Sequence, residues 1–309
     1  MTSLSRRAFS KLMAAATLAR QARAGVMPVR TLGKIGFKAG ILGFGAQYLA
    51  GTAQANVDRV IAEGLEAGMN YVDIAPNYGN SEDLLGNALR GKRDKVFLAT
   101  KIEEPTREGA LTEVRNSLRR LQTNHLDCVL FHNIARDERW TDIDKLLAKG
   151  GALEGLVEAR KQGMIRHIGC STHTNPARVI RAFDTGEIDL MQAILNFVDH
   201  QIYHLEERLL PEACKRNMAI VAMKVLGGPS GETGGCRISA EDRVASMRYV
   251  WGIPGVAVSI IGFRKPAELR EGLDAALGYQ PLSAAELAAL EQRGKAIAEK
   301  WGPSRGPVT

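Results

Sequence analysis

The sequence predicts a single (β/α)8 barrel, an α/β fold in which eight parallel strands close into a cylinder surrounded by helices. Short apolar runs rich in β-forming residues occur eight times between residues 41 and 261. Amphipathic segments with apolar residues three and four positions apart lie between these runs. Continuous apolar strands that alternate with helices indicate a parallel sheet, either open and doubly wound or closed into a barrel. Eight such units favour the closed barrel.

The eight predicted strands are each five or six residues long and carry few charges. They are ILGFG (41–45), NYVDI (70–74), KVFLAT (95–100), DCVLF (127–131), RHIGCS (166–171), DLMQAI (189–194), AIVAM (219–223) and VAVSII (256–261). Short buried runs of this kind are typical of parallel strands covered on both faces.

The predicted helices lie between the strands and carry the expected start and stop signals. Gly68 and Gly163 follow two of them as C-cap residues, and Ser239 precedes another as an N-cap. The clearest amphipathic segments are VDRVIAEGLEAG, LTEVRNSLRRL, ALEGLVEARKQG, HLEERLLPEACKR and AEDRVASMRYVWG.

Two further elements are predicted outside the repeating units. The segment MPVRTLGKIGFKAG (27–40) is short, polar-alternating and turned by glycines, which suits a β-hairpin capping the bottom of the barrel. Residues 284–300 form one more amphipathic segment, which Ser283 and Glu286 begin with a capping-box pattern. With no linker after residue 30, residues 25–309 are predicted to form one domain.

Residues 1–24 are predicted to be a separate leader. The twin arginine Arg6–Arg7, Phe9, Lys11, a short apolar stretch (12–19) and a small-x-small triplet ending at Ala24 resemble a bacterial twin-arginine export signal. That resemblance implies a periplasmic location and the twin-arginine export machinery as a partner. A basic disordered N-terminus or a mitochondrial-type leader is the alternative, and the alternative location is the cytoplasm.

Composition and charge exclude two broad classes of protein. Of a net charge of +7, five positive charges lie in the leader, so the body has no basic surplus for nucleic acid. No run approaches the roughly 20 apolar residues of a membrane span.

The four cysteines, Cys128, Cys170, Cys214 and Cys236, lack metal-ligand spacing and are expected to be thiols, with no metal site.

Four polar residues fall where the chemistry of a barrel collects, at the carboxyl ends of strands. Asp73 ends the second strand and Tyr78 follows in its loop, while Lys101 and His132 follow the third and fourth strands. Each alone is more often a turn cap, a packing residue, a solvated cation or a hydrogen-bonded histidine. Together they suit carbonyl reduction, in which negative charge develops on an oxygen that needs a proton donor.

The proposed division of labour follows from ordinary pKa values. A tyrosine with a pKa of about 10 is a weak acid at neutral pH, and a nearby ammonium is expected to lower that pKa. Tyr78 is therefore predicted to be the acid, Lys101 its activator and Asp73 the anchor of Lys101. His132 is predicted to orient the substrate carbonyl through a hydrogen bond.

The sequence resembles the aldo-keto reductases over about residues 30 to 280. The resemblance rests on NYVDIAPNYGNSEDLLGNAL, KVFLATK, LDCVLFHN, IRHIGCST, LMQAILNF and VSIIGFRKPAELREGL, in this order. It implies a (β/α)8 barrel, a nicotinamide cofactor in the barrel mouth, and a catalytic tetrad of Asp73, Tyr78, Lys101 and His132. An M-K-x-L-G-G motif at residues 223–228 is similar to one branch of the family.

The same resemblance implies residues that contact the nicotinamide. Ser171 and Gln192 correspond to its carboxamide contacts, and Thr172 stands where the family often has an asparagine. Met223 takes the position of an aromatic residue that stacks on the ring, and core packing is its alternative role.

The phosphates are expected to lie over the loops after strands seven and eight. Leu226 and Gly227 begin the glycine-rich segment GGPSGETGGC (227–236), which either folds over the pyrophosphate or is a disordered insertion. Gly262, Arg264 and Glu271 follow strand eight, and Arg264 is predicted to contact a 2′-phosphate. NADP is therefore favoured over NAD.

The substrate is predicted to be a small carbonyl compound, and the oligomeric state stays open. Tyr48, Trp140 and Phe197 are candidates for an apolar wall of the pocket, with Trp140 alternatively covering the outside of the barrel. Two other function classes are a nicotinamide-binding redox sensor or partner subunit, and a barrel lyase or hydrolase, for which the strand ends lack the metal or carboxylate set.

Overall fold

The computed structural model describes residues 25–136, 138–228 and 236–308. Ten strands are present in these ranges. The first two, β1 (Val29–Thr31) and β2 (Lys38–Gly40), pair antiparallel as a hairpin. The other eight are β3 (Leu42–Gly45), β4 (Tyr71–Asp73), β5 (Phe97–Ile102), β6 (Leu126–Phe131), β7 (Ile165–Thr172), β8 (Leu190–Ile194), β9 (Ala219–Met223) and β10 (Val256–Ile261).

Strands β3 to β10 pair in parallel, each with its neighbour in sequence, and β10 closes on β3. Ser259 lies opposite Leu42 in the closing pair, and Ile261 lies opposite Phe44. All eight strands predicted from the sequence therefore exist, and the predicted (β/α)8 barrel is confirmed.

Twelve α-helices lie in the described ranges, mostly between the strands. They are α1 (Gln54–Glu66), α2 (Ser81–Ala88), α3 (Arg107–Arg120), α4 (Ile143–Leu147), α5 (Ala152–Lys161), α6 (Pro176–Phe183), α7 (His200–Tyr203), α8 (Leu205–Arg208), α9 (Leu210–Lys215), α10 (Arg243–Trp251), α11 (Pro266–Leu277) and α12 (Ala284–Trp301).

The predicted helix over HLEERLLPEACKR is broken into α8 and α9. Pro211 has no N–H to donate to the preceding turn, and its ring clashes with the carbonyl group four residues earlier, so the helix is interrupted before it. Leu209 accordingly lies between the two helices with φ −118°. The predicted C-terminal helix is present as α12, and the capping box of Ser283 and Glu286 is formed in both directions.

Two apolar layers stabilise the barrel. The outer layer lies between the strands and the helices, and the inner one fills the barrel with side chains such as Tyr71, Phe97, Leu130 and Val258. The hairpin closes the bottom, because Leu32 is fully buried in the inner layer and the rings of Phe37 and Phe97 are 5.3 Å apart. With its bottom closed and its interior filled, the barrel in the described ranges opens to ligands at the carboxyl ends of the strands.

The four cysteines are free, and Cys128 and Cys170 are buried in strands as expected. Across the described residues, no helix combines the length and the apolar character that a membrane crossing requires. The predicted leader, residues 1–24, lies outside the described residues.

Candidate active site

A cavity of about 780 Å³ opens at the carboxyl ends of the strands. All four residues of the predicted tetrad line it, although they come from three different strands or their loops. The cavity extends from the loop after β6 to the loop after β10. The parallel register of β4, β5 and β6 carries their ends to the same rim, which is why these residues meet.

Lys101 and Asp73 form a buried ion pair at the base of the cavity. The ammonium Nζ lies 2.8 Å from each oxygen of Asp73 and donates a further bond of 2.7 Å to the carbonyl of Ile74. Burial by itself lowers the pKa of Lys101, but the charge of Asp73 and the phenol of Tyr78 raise it above its usual value. Lys101 is therefore a fixed positive charge, held in place by Asp73.

Tyr78 lies beside this ammonium, with Nζ of Lys101 5.3 Å from the ring centroid. Lys101 does act to lower the pKa of the Tyr78 phenol, but the net pKa is not lowered. Burial raises the pKa of Tyr78 above 10, and the opposing charge of Lys101 does not offset that effect. The phenol therefore holds its proton firmly until negative charge develops next to it, and Lys101 stabilises the phenolate left after transfer.

His132 is neutral, and its tautomer follows from its partner. Its Nδ1 lies 2.7 Å from Oε1 of Glu103. Burial lowers the pKa of His132 to about 4, the hydrogen bond to Glu103 acts against this, and the charge of Lys101 adds to it. Although burial raises the pKa of Glu103, His132 and Arg139 lower it below the usual value, so Glu103 is a carboxylate. A carboxylate only accepts, hence Nδ1 carries the proton and Nε2 carries the lone pair.

Glu103 was missed by sequence reasoning, although it organises this side of the cavity. Its Oε1 also accepts a bond of 2.7 Å from the amide of Asn77 and pairs with Arg139 at 2.5 Å. In the sequence Glu103 is one of two glutamates after a strand, which is typical of a solvated turn. Its three partners are remote in sequence, so no local pattern identifies it.

Gln192 fits a nicotinamide carboxamide better than Ser171 does. The Oε1 of Gln192 is buried in the cavity wall without a hydrogen-bond partner, while its Nε2 lies 3.7 Å from the sulfur of Met223. A buried unpaired acceptor suits the amide N–H of such a ligand. The hydroxyl of Ser171 already donates to the carbonyl of Phe131 and accepts from the N–H of Asn133.

Thr172 does not contact the cavity, contrary to the prediction. Its buried hydroxyl donates at 2.6 Å to the carbonyl of Thr174, because the strand turns its side chain away from the mouth. A different amide lies nearby, since Asn133 lines the cavity and its Oδ1 accepts from the N–H of His173. The NH₂ of Asn133 remains as a donor. Asn133 has a left-handed backbone (φ 52°), and no sequence signal indicated its place in the cavity wall.

The predicted phosphate end of the cavity is lined by Leu226, Gly227 and Gly262. A side chain on Gly227 would start 2.2 Å from the carbonyl of Cys236, and Gly227 has φ +67°, so only glycine fits. A side chain on Gly262 would lie 3.0 Å from the ring of Tyr48. The rest of the glycine-rich segment, residues 229–235, lies outside the described residues.

Arg264 and Glu271 also line the cavity, at the end of β10. The guanidinium of Arg264 lies 4.9 Å from the ring centroid of Tyr48. Glu271 pairs with Arg243 at 3.3 Å, and the carboxylate of Glu268 accepts the backbone N–H of Arg264. The two acids are thus engaged, and the guanidinium of Arg264 stays free of carboxylates among the described residues.

Only one of the three predicted wall residues lies at the cavity. Tyr48 lines it, whereas Trp140 and Phe197 are buried elsewhere. The indole of Trp140 packs on Phe131 and donates to the carbonyl of His132, and Phe197 packs on Tyr249. Both are predicted as wall residues because aromatic residues in loops are typical of pockets. In the structure they instead pack against other aromatic rings in the protein interior.

A family model supports the same assignment from sequence comparison. The model of the aldo/keto reductase family matches residues 39–234. This chain belongs to the aldo/keto reductase family. The matched region contains all four residues of the tetrad and seven of the eight barrel strands in full.

Individual relatives agree with the family model. Aldo-keto reductase YhdN of Bacillus subtilis strain 168 is 30% identical over 210 residues, which are 60% of this chain and 58% of YhdN. The chain thus spans little more than half the length of this relative. An aldo-keto reductase structure from Pseudomonas aeruginosa, PA4992, has a TM-score of 0.67 and 26% identity, covering 81% of this chain and 94% of that one.

A third comparison concerns the fold alone. An aldo-keto reductase from Klebsiella pneumoniae, solved in complex with NADPH, has a TM-score of 0.70 at 22% identity. It covers 87% of this chain and 96% of the Klebsiella chain. The barrel described above is therefore the barrel of this family.

Proposed function

We propose that this aldo/keto reductase is an NADPH-dependent enzyme that reduces an aldehyde or a ketone to an alcohol, with Tyr78 as the proton donor. The observation that carries the proposal is the buried arrangement of Asp73, Lys101 and Tyr78 at one end of the cavity. The ammonium of Lys101 is bound at 2.8 Å to both oxygens of Asp73, and it lies 5.3 Å from the centroid of the phenol ring.

When bound, the nicotinamide supplies a hydride to the carbonyl carbon. The residues of this chain stabilise the negative charge that then develops on the carbonyl oxygen. Tyr78 gives its proton to the carbonyl oxygen as negative charge develops there. The fixed charge of Lys101 stabilises the phenolate, and Asp73 keeps that charge in place. Gln192 supplies the unpaired acceptor for the carboxamide, and Asn133 supplies the donor.

The role proposed for His132 differs from the one that the sequence suggested. With its proton on Nδ1 and held by Glu103, neutral His132 presents a lone pair from Nε2. It therefore accepts a hydrogen bond from the hydroxyl of the alcohol, and Tyr78 is the donor to the carbonyl oxygen. The hydrogen bond assigned to His132 is retained with its direction reversed.

Support for NADP over NAD comes from Arg264. Its guanidinium is free of carboxylates among the described residues and lies at the rim where a 2′-phosphate would need a cation. The Klebsiella structure of the same fold was solved in complex with NADPH, which supports this choice.

The test of the catalytic proposal is Tyr78→Phe. This variant should bind NADPH as tightly as the wild type but lose roughly 100-fold or more in kcat, because the acid is missing. Binding is followed by fluorescence and turnover by NADPH oxidation with a panel of aldehydes and ketones. Tyr279→Phe, at a buried tyrosine outside the cavity, is the matched control and should keep wild-type turnover. An unchanged rate in Tyr78→Phe would remove Tyr78 from the mechanism, and NADPH binding without any turnover in the wild type would favour a redox sensor.

We further propose that residues 1–24 direct export to the periplasm by the twin-arginine route, which carries folded proteins. The enzyme would then fold around its cofactor before it leaves the cytoplasm. Immunoblots of cell fractions should find a shortened protein in the periplasm, and replacing Arg6 and Arg7 by lysine should retain the full-length protein in the cytoplasm. Uncleaved wild-type protein found only in the cytosol would contradict export.

A further inference from the structure

Lys224 follows β9 directly and is held in an uncommon backbone conformation. Its φ is +54°, in the left-handed region that residues other than glycine rarely adopt. Its carbonyl accepts bonds from the N–H of Gly227 at 2.8 Å and from Nδ2 of Asn196 at 3.1 Å. Strain of this kind persists only where the surroundings impose it, and it concentrates at functional sites.

The side chain of Lys224 lines the cavity without an anionic partner. Within the described residues, no carboxylate lies within ion-pair distance of its ammonium, although the residue is only partly exposed. Burial lowers the pKa of Lys224 to about 8, and the charges of Arg305 and Lys101 act in the same direction while Asp199 opposes them. A cation withdrawn from water without a partner is costly, so it indicates an anion that arrives with a ligand.

The C-terminal tail brings two more groups to the same wall. Arg305 is buried, pairs with Asp199 at 3.2 Å and donates to the carbonyl of Gly228 at 2.9 Å. The hydroxyl of Ser304 is buried without a hydrogen-bond partner and also lines the cavity. A free donor therefore stands beside two cations, of which only one is neutralised.

Hydrogen bonds hold the C-terminal tail in place, so Ser304 and Arg305 have fixed positions in the cavity wall. The hydroxyl of Tyr203 accepts the N–H of Arg305 at 2.7 Å and donates to the carbonyl of Gly306 at 3.1 Å. Gly306 itself lies against Thr174 in the loop after β7.

We propose that Lys224, with Ser304 and Arg305, binds a carboxylate on the carbonyl substrate, so that the preferred substrates are aldehydes or ketones that carry an acid group. This inference rests on the proposed reductase function and specifies its substrate class. The wall lies on the side of β8, β9 and the tail, and Lys101 is close enough for its charge to act on Lys224. Gly262 and Arg264, which are predicted to contact the cofactor phosphates, follow β10, whereas Leu226 and Gly227, predicted for the same phosphates, follow β9 just after Lys224. The same oxyanion chemistry would also suit the pyrophosphate of the cofactor, and the experiment separates the two sources.

The test compares 4-carboxybenzaldehyde with 4-carbamoylbenzaldehyde, which have nearly the same shape and differ in charge. The wild type should have the higher kcat/KM for the carboxylate. Lys224→Met should reduce kcat/KM for the carboxylate on the order of 10- to 100-fold, as expected for a lost charge-assisted bond, and change the value for the amide by less than about threefold. The Kd for NADPH, measured by fluorescence, should stay within about twofold. Lys161→Met, at an exposed lysine, is the control for loss of a positive charge and should leave all three values unchanged.

A measurement of the melting temperature, Tm, shows whether the Lys224→Met variant is correctly folded. Because Lys224→Met removes an unpaired charge that is partly withdrawn from water, Tm should rise by about 1–3 °C. A raised Kd for NADPH with equal losses on both aldehydes would assign Lys224 to the pyrophosphate and overturn the proposal. Equal kcat/KM values for the two aldehydes in the wild type would overturn it while leaving the reductase function intact. No turnover of either aldehyde, nor of any other carbonyl compound, would overturn the reductase function as well.

Discussion

At the scale of single residues, one hydrogen bond decides what His132 can do. The carboxylate of Glu103 accepts from Nδ1 of His132, from Asn77 and from Arg139 at the same oxygen. This convergence keeps the carboxylate charged and the imidazole in one tautomer. Glu103 is a positioning residue, because it acts on the chemistry through His132.

Glu103→Gln should change the tautomer of His132 while keeping a hydrogen-bonding side chain at position 103. The amide of glutamine can either accept from Nδ1 or donate to it, so part of the His132 population should move its proton to Nε2. Nitrogen NMR of the labelled imidazole measures this shift, and kcat should fall on the order of 10-fold. Glu138→Gln, at an exposed carboxylate paired with Arg136 in the same loop, should change neither. A wild-type spectrum with the proton already on Nε2 would refute the assignment.

The tetrad could be read from the sequence because its residues lie in contiguous motifs at strand ends. The sequence did not reveal the geometry of the tetrad. It also did not place the side chains of Thr172 and Trp140 correctly. Thr172 follows the alternation of β7 away from the cavity, and Trp140 turns inward to reach the carbonyl of His132. Both orientations depend on partners that local sequence does not specify.

At the scale of elements, apolar runs located all eight barrel strands to within about two residues at each end. They did so because burial on both faces requires a nearly continuous apolar sequence. Helix periodicity was less exact, as the break between α8 and α9 shows. The tail after α12 had no apolar period at all, and its position results from the hydroxyl of Tyr203 and the ion pair of Arg305 with Asp199. Sequence patterns thus predict elements that bury a face, but not segments held by polar contacts.

At the scale of the whole molecule, the neutral histidines of the cavity make folding sensitive to acid. His132 has a pKa of about 4 in the folded protein, mainly because it is buried, against about 6.5 when unfolded. Burial also lowers the pKa of His173 far below its usual value. As pH falls below 6.5, the unfolded chain binds protons that the folded protein does not, and the folded state loses stability.

Urea unfolding at pH 7.5 and pH 5.5 measures this effect. The free energy of unfolding should fall by about 1 kcal/mol from His132 alone, with a further loss from His173. His132→Asn should lose its part of the pH dependence, whereas His204→Asn, at an exposed histidine, should retain all of it. Equal stability of the wild type at the two pH values would show that His132 is not held neutral by the fold.

The sequence by itself determined the barrel, the order of its strands, the family and the four residues proposed for catalysis, because these depend on local periodicity and on contiguous motifs. Tertiary structure decided the raised pKa of Tyr78, the direction of the hydrogen bond at His132 and the unpaired charge of Lys224. Each of these depends on burial or on partners from other strands and from the tail. Their physical cause is the low-dielectric cavity that forms only when the barrel closes and the tail is attached to it.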